Sequence, residues 1–303
     1  MSVKKINIGG QAVIEGVMIR GPSKYVVAVR KKSKIVSKIG NIPLKKYAFL
    51  KLPFVRGFIN LADMMVIGIK SLMWSAEQTN EEEKLGKNEL AWTLLISIGF
   101  VILFFIALPY LLTSFLGIAE EKKPLLFNLV DGAIRILLFL AYLFGISFMK
   151  DVKILFQYHG AEHKAIHCYE HGKKLTASNI KKFTTLHPRC GTSFLLIVFI
   201  VSILVFSILP SIFLFYYPDF SGMNAWYRRG ILFPVRILLI PLIAGISYEI
   251  LKLSDKHQKN PIFKIVTVPG LALQKITTKE PNAKQVQVAI SSLNQLLKIE
   301  KQK

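Results

Sequence analysis

Four histidines, His159, His163, His167 and His171, recur at every fourth residue in the stretch YHGAEHKAIHCYEH. On an α-helix this spacing stacks imidazoles on one face, with neighbours about 5–6 Å apart, so that two can share an ion. The first pair reads H-x-x-E-H, a pattern in which two histidines hold zinc and the intervening glutamate acts as general base toward a water. Downstream, LHPRCGTSF adds His187 and Cys190, and zinc accepts imidazole nitrogen, thiolate sulfur and carboxylate oxygen alike. The candidate ligands are therefore His159, His163, His187 and Cys190, with Glu162 in the catalytic role. All four together would form a closed, structural site, whereas omitting one would leave a position for water. Spacing leaves both arrangements open, and a hydrogen-bonded histidine network without metal competes with them.

Other residues could join this chemistry. Glu249, at the end of a hydrophobic run, is a further candidate ligand, because an acid at that depth is costly without a cation or a hydrogen-bond partner. Glu15 lies among N-terminal glycines and could approach the same region. Arg20 or Arg189 could stabilise a developing oxyanion. His167 and His171 are expected at the solvated end of the helix, since four ligands along one straight helix cannot converge on a tetrahedral ion. Cys168 is expected to be a small buried side chain.

The elements that position these residues are largely membrane helices. Hydrophobic residues make up 52% of the 303-residue chain and charged residues 19%. The apolar residues fall in runs long enough to cross a hydrocarbon layer of about 30 Å. Trp92 to Leu116 carries no charge, and Leu125 to Met149, Ser193 to Tyr217 and Ile231 to Leu251 meet the criterion less purely. Four transmembrane helices are predicted. Asp131 and Arg135, four apart in the second, read as an intrahelical ion pair that lowers the cost of insertion.

Charge sets the expected orientation. Residues 1–90 hold 16 basic against 7 acidic side chains, 150–192 hold 8 against 3, and 252–303 hold 10 against 3. By the positive-inside rule all three face the cytoplasm, with both termini inside and the protein multi-pass in a plasma membrane. The first residues lack the apolar region of a cleavable signal, so the N-terminus is expected to be retained. The two cysteines fall in the inward-facing loop, where thiols stay reduced. The net charge of +22 is accounted for by this bias and by attraction to anionic lipid head groups. No nucleic-acid module accompanies it, so specific DNA binding is not expected.

The organisation predicted is mainly α. Residues 1–90 form a cytoplasmic segment, 91–251 a four-helix membrane region with the histidine loop at 150–192, and 252–303 a basic tail packing on the others. Within the first segment, Tyr25 to Lys38 suggests a β-hairpin. Gly9, Gly10, Gly16 and Gly21, spaced around Pro22 in the stretch that also holds Gln11 and Glu15, suggest a backbone that turns or approaches something closely. From Pro53 to Ala76, Arg56, Asn60, Asp63 and Lys70 make one polar stripe on an apolar helix, read as lying in the membrane interface. A fifth span would place the acidic linker from Glu77 to Glu89 outside and upset the charge asymmetry. In the tail, Val286, Ile290, Leu293 and Leu297 space as a short amphipathic helix.

Taken in order, GGQAVIEGVMIRGP, FQYHGAEHKAIHCYE, TLHPRCGTSF, SYEILKL and PGLALQKITTKEPNAKQVQVAI resemble the YqhQ-like family of bacterial membrane proteins, domain of unknown function 1385, over nearly the whole length. The resemblance places Gln11, Glu15, Arg20, His159, Glu162, His163, His187, Arg189, Cys190 and Glu249 at motif positions without assigning roles. It implies a metal-dependent enzyme only through the same histidine pattern.

The favoured expectation is a membrane zinc hydrolase, or one using another divalent metal, at the cytoplasmic face. The alternative is a non-catalytic membrane factor docking the translocation machinery, a membrane protease or the ribosome. A transporter is the weakest reading, since four spans would require a homo-oligomer.

Overall fold

The computed structural model describes residues 6–43, 50, 52–79, 87–118, 123–257 and 260–301. Residues 80–86 of the acidic linker lie outside them.

Four strands begin the chain: β1 (Gly9–Val13), β2 (Gly16–Arg20), β3 (Lys24–Lys31) and β4 (Lys34–Asn41), an antiparallel meander in the order β1-β2-β3-β4. The predicted hairpin is β3–β4, and the glycine-rich stretch before it supplies two further strands. Tight connections follow from two non-glycine residues in the left-handed region, Glu15 (φ 50°) and Lys32 (φ 54°). Period-two alternation gives the sheet two apolar faces. Val17, Ile19, Val26 and Ala28 point to one side, and Met18, Val27 and Val29 to the other. Cross-strand register joins Val17 to Ala28 and Ile19 to Val26.

Each face is covered by helices. The first packs on α5 (Lys150–Glu170) and α10 (Ala283–Lys301) through Tyr158, Ala161, Ala165, Val286, Leu293 and Leu296. α10 follows the predicted amphipathic spacing. Leu293 is fully buried, so Leu293→Ala is expected to cost about 3 kcal/mol through lost transfer energy and a residual cavity. Denaturant unfolding of the purified protein checks this. The second face packs on α1 (Val55–Thr79), with Ile67, Met64 and Trp74 against Val13, Met18 and Val27. The sheet is thus the middle of three layers.

The remaining helices are α2 (Lys87–Ile102), α3 (Leu108–Phe115), α4 (Pro124–Ile146), α6 (Ala177–Lys181), α7 (Gly191–Tyr216), α8 (Ala225–Lys256) and α9 (Pro261–Thr277). A single π-turn, Leu103–Ala107, joins α2 to α3. Among the described residues, five helices are long and apolar enough to cross a membrane: Val55–Thr79, Ala91–Phe115, Pro124–Ile146, Gly191–Tyr216 and Gly230–Ser254. Four match the sequence expectation. The fifth is α1, expected in the interface, so the four-span count does not follow from length and hydropathy alone.

Small residues set how closely the helices approach. A Cβ at Gly57 of α1 would lie 2.7 Å from Cβ of Tyr248, and one at Gly245 of α8 would lie 2.6 Å from the Phe54 carbonyl. This contact orients Glu249 toward α1. Asp131 and Arg135 form the predicted i,i+4 pair at 2.7 Å, and Arg236 donates to Asn128 across α4 and α8 at 3.2 Å.

Candidate metal centre

The centre is built on α5, whose course is fixed at its end. His171 is the C-cap and Gly172 (φ 69°) follows in the left-handed region. Lys173 N–H donates to Cys168 O and Gly172 N–H to Tyr169 O, the paired bonds of a Schellman stop. The chain then turns through α6, capped by Thr176, and returns along α5 to Cys190, the N-cap of α7. This return places Cys190 beside the first two histidines, where a membrane-class helix begins.

His159 Nδ1 lies 2.9 Å from the carbonyl of Thr277, and His163 Nδ1 hydrogen-bonds the carbonyl of Thr185. A carbonyl only accepts, so both rings carry their proton on Nδ1 and present the Nε2 lone pair. Backbone carbonyls bonded in this way orient the histidines of metal sites. The Nε2 of His159 lies 3.3 Å from Cys190 Sγ. One donor atom from each of His159, His163 and Cys190 falls within 4.8 Å of the others. Burial holds His163 below its ordinary pKa, which keeps it neutral and competent as a ligand.

Glu162 completes this set differently. It is 2% exposed, and its Oε2 sits 3.5 Å from His163 Nε2 without a hydrogen-bond donor. Its other oxygen faces Gly10 of β1, where a Cβ would come within 2.6 Å of it. The glycine approach anticipated from sequence is therefore made by this carboxylate. Burial raises the Glu162 pKa, and the nearby His159 and His187 oppose the rise. A buried acid with an orphaned oxygen calls for a proton, a water or a cation. The donor set and the orphaned oxygen fit a divalent ion with three protein ligands and one open position toward Glu162.

His187 does not join that set. Its Nδ1 accepts from the Arg189 N–H at 3.2 Å, so its Nε2 donates to Glu170 at 3.1 Å. Gln274 of α9 locks the same residue by accepting from its N–H at 2.7 Å and donating to its carbonyl at 2.8 Å. His167, expected in solvent, instead packs on His187 with ring centroids 4.4 Å apart and bonds the Leu186 carbonyl. Burial brings its pKa to about 4. His167, Glu170 and His187 also have donor atoms within 4.8 Å of one another. However, the Arg189 guanidinium pairs with Glu170, so this group reads as an ion-pair network that braces the loop. Cys168 is buried, as expected.

The other sequence candidates are engaged elsewhere. Glu249 receives both arms of the Arg56 guanidinium, at 2.7 and 2.5 Å. Glu249 is thus paired with α1, and among the described residues it belongs to neither group of closely spaced potential metal ligands. Glu15 accepts from the Tyr158 hydroxyl at 3.1 Å, Gln11 donates to the Gly68 carbonyl at 3.2 Å, and Arg20 lies 3.8 Å from Asp63. These three tie the sheet to α5 and α1. Gln274, Thr277 and Thr185 were missed from sequence. Their signal is weak, because two act through backbone carbonyls that any residue type offers.

No solved structure matches the chain. A Bacillus subtilis (strain 168) protein described as "Uncharacterized protein YqhQ" is 35% identical over 312 residues, covering 96% of this chain and 92% of its own. The family described as "Protein of unknown function (DUF1385)" matches residues 52–299. The chain therefore belongs to the DUF1385 family, as its five sequence blocks suggested.

Proposed function

We propose that this chain is a multi-pass membrane hydrolase dependent on a divalent metal, zinc foremost, with its centre where α5 meets the start of α7. The observation that carries the reading is the buried Glu162 carboxylate, whose Oε2 has no hydrogen-bond donor, beside two histidines whose Nδ1 protons are committed to backbone carbonyls. His159 and His163 through Nε2, with Cys190 through Sγ, would hold the ion. Such an ion supplies acidification of a water and polarisation of a carbonyl or phosphoryl oxygen. Glu162 takes the proton from the attacking water and returns it to the leaving group, a role for which its raised pKa suits it. Arg189 and Glu170 keep the His187 loop in place behind the centre.

In this reading α2–α3, α4, α7 and α8 span the plasma membrane, and both termini and the histidine layer are cytoplasmic, as the Lys and Arg distribution favours. α1 lies in the interface. Its inner face is covered by a β-sheet through Ile67, Ser71 and Ser75, while Met65, Val66, Ile69, Leu72 and Met73 are exposed. A sheet covering one side of the helix and an apolar strip on the other support its resting on the lipid surface.

The non-catalytic reading draws support from the depth of the centre, with His163 3% and Glu162 2% exposed. Glu162→Gln separates the two. The hydrolase reading expects unchanged metal content, by mass spectrometry of detergent-purified protein, with loss of about 100-fold or more in turnover on a peptide and lipid-ester substrate panel, the general-base contribution. Unaltered cellular function of that variant would sink the hydrolase and favour the docking factor.

A further inference from the structure

The hydrolase reading gives no role to a cleft of about 230 Å³ between the β3–β4 hairpin and α1. Tyr25, Lys38, Lys70, Met73, Trp74 and Glu77 line it. Lys38, Lys70 and Glu77 are exposed, and among the described residues none of them is held in a salt bridge. The Lys38 ammonium stands 6.0 Å from the centre of the Trp74 ring. Met73 belongs both to the cleft and to the exposed apolar strip formed with Met65, Val66, Ile69 and Leu72.

This juxtaposition has the chemistry of a phospholipid written across it. An apolar strip suits acyl chains, and two unpaired ammonium groups at its border suit a phosphodiester. Glu77 adds a discriminating element, because its carboxylate repels a second negative charge and accepts from a cationic group. Lys70 and Glu77 are seven residues apart, about 10 Å along the helix, and both stems can reach inward over Trp74. We propose that the cleft binds the head group of an amine-bearing phospholipid, with the phosphate between Lys38 and Lys70, the ammonium at Glu77, and the acyl chains along Ile69 and Met73. The proposal rests on the interfacial placement of α1 and is independent of the metal centre.

Native mass spectrometry of the full-length detergent-purified protein, offered equal phosphatidylethanolamine, phosphatidylglycerol and phosphatidylcholine, tests it. Wild type should retain phosphatidylethanolamine over the other two. The Lys38→Ala/Lys70→Ala variant should lower that retention about tenfold, the loss of one charge-assisted hydrogen bond or more. Glu77→Gln, an exposed change that leaves folding untouched, should shift preference to phosphatidylglycerol. Equal retention of all three lipids by wild type, or unchanged preference in Glu77→Gln, would overturn the site. The placement of α1 is read separately with a membrane-impermeant maleimide on Glu77→Cys. Labelling from the cytoplasmic face supports the interface, and labelling only from the outer face overturns the placement and the site together.

Discussion

Replacing His163 by Ala is expected to empty the proposed metal centre, taking zinc from about one per chain in wild type to less than about a tenth of that, as loss of one of the three proposed protein ligands requires. The side chain is 3% exposed, and its Nδ1 is committed to the Thr185 carbonyl, so the Nε2 donor is held in place and lost with the ring. Only His159 Nε2 and Cys190 Sγ would remain, and two ligands hold zinc poorly against chelators. Cys190→Ser should produce the same loss, because a neutral hydroxyl replaces a thiolate donor. His187→Ala is the contrasting variant. Its ring nitrogens are satisfied by Arg189 and Glu170, so it should weaken affinity no more than about 10–100-fold, the range of an outer-shell partner. Zinc should then survive purification without chelator and be lost with it. Equal zinc in wild type and His163→Ala would refute the centre, and complete loss in His187→Ala would restore that residue to the ligand set.

The contrast between His163 and His187 marks how far the sequence could be read. His159 and His163 are brought together by helical spacing alone, and Cys190 follows because the loop must return to start α7. Which side of the loop His187 takes depends on Gln274, 87 residues further on, a distance over which no local pattern carries information. The pairing of Glu249 with Arg56 was not legible for a related reason. Hydropathy gives the depth of a residue on a membrane helix but not its azimuth, and here Gly57 and Gly245 turn that face of α8 toward Arg56. The β3–β4 hairpin was legible in its β-branched runs. β1 and β2 were not, because Gly9, Gly10 and Gly16 dilute the alternation that marks a strand. One of those glycines serves the site: Gly10 leaves room for Glu162. The character of α1 was ambiguous because length and hydropathy describe a span, whereas its polar stripe describes a surface helix. The sheet packed on it favours the latter, but the sheet itself had been only half anticipated.

The second large effect is expected from Gly160→Ala, which adds one methyl group between His159 and Glu162. The new Cβ would collide with the backbone carbonyl of Lys279 and crowd Thr185 Cγ2 at 3.2 Å. Lys279 cannot retreat freely. Its own N–H donates to the Phe156 carbonyl at 2.9 Å, one turn earlier on α5, and the next residue, Glu280, pairs with the buried Lys164. The chain between α9 and α10 is therefore stapled along α5 on both sides of the glycine. Relief requires α5 to move away from that segment, which stretches the His159–Thr277 and His163–Thr185 bonds that aim the two ligands. Destabilisation of about 3 kcal/mol is expected for such overpacking against fixed backbone, together with a zinc affinity lowered at least about tenfold by disturbed ligand support. Denaturant unfolding and metal titration on the same preparation measure both. A variant that is destabilised yet binds zinc as wild type would show that the two carbonyl bonds do not orient the histidines. A variant unchanged in both would show that the Lys279 backbone yields, and that α5 does not need a glycine at this crossing.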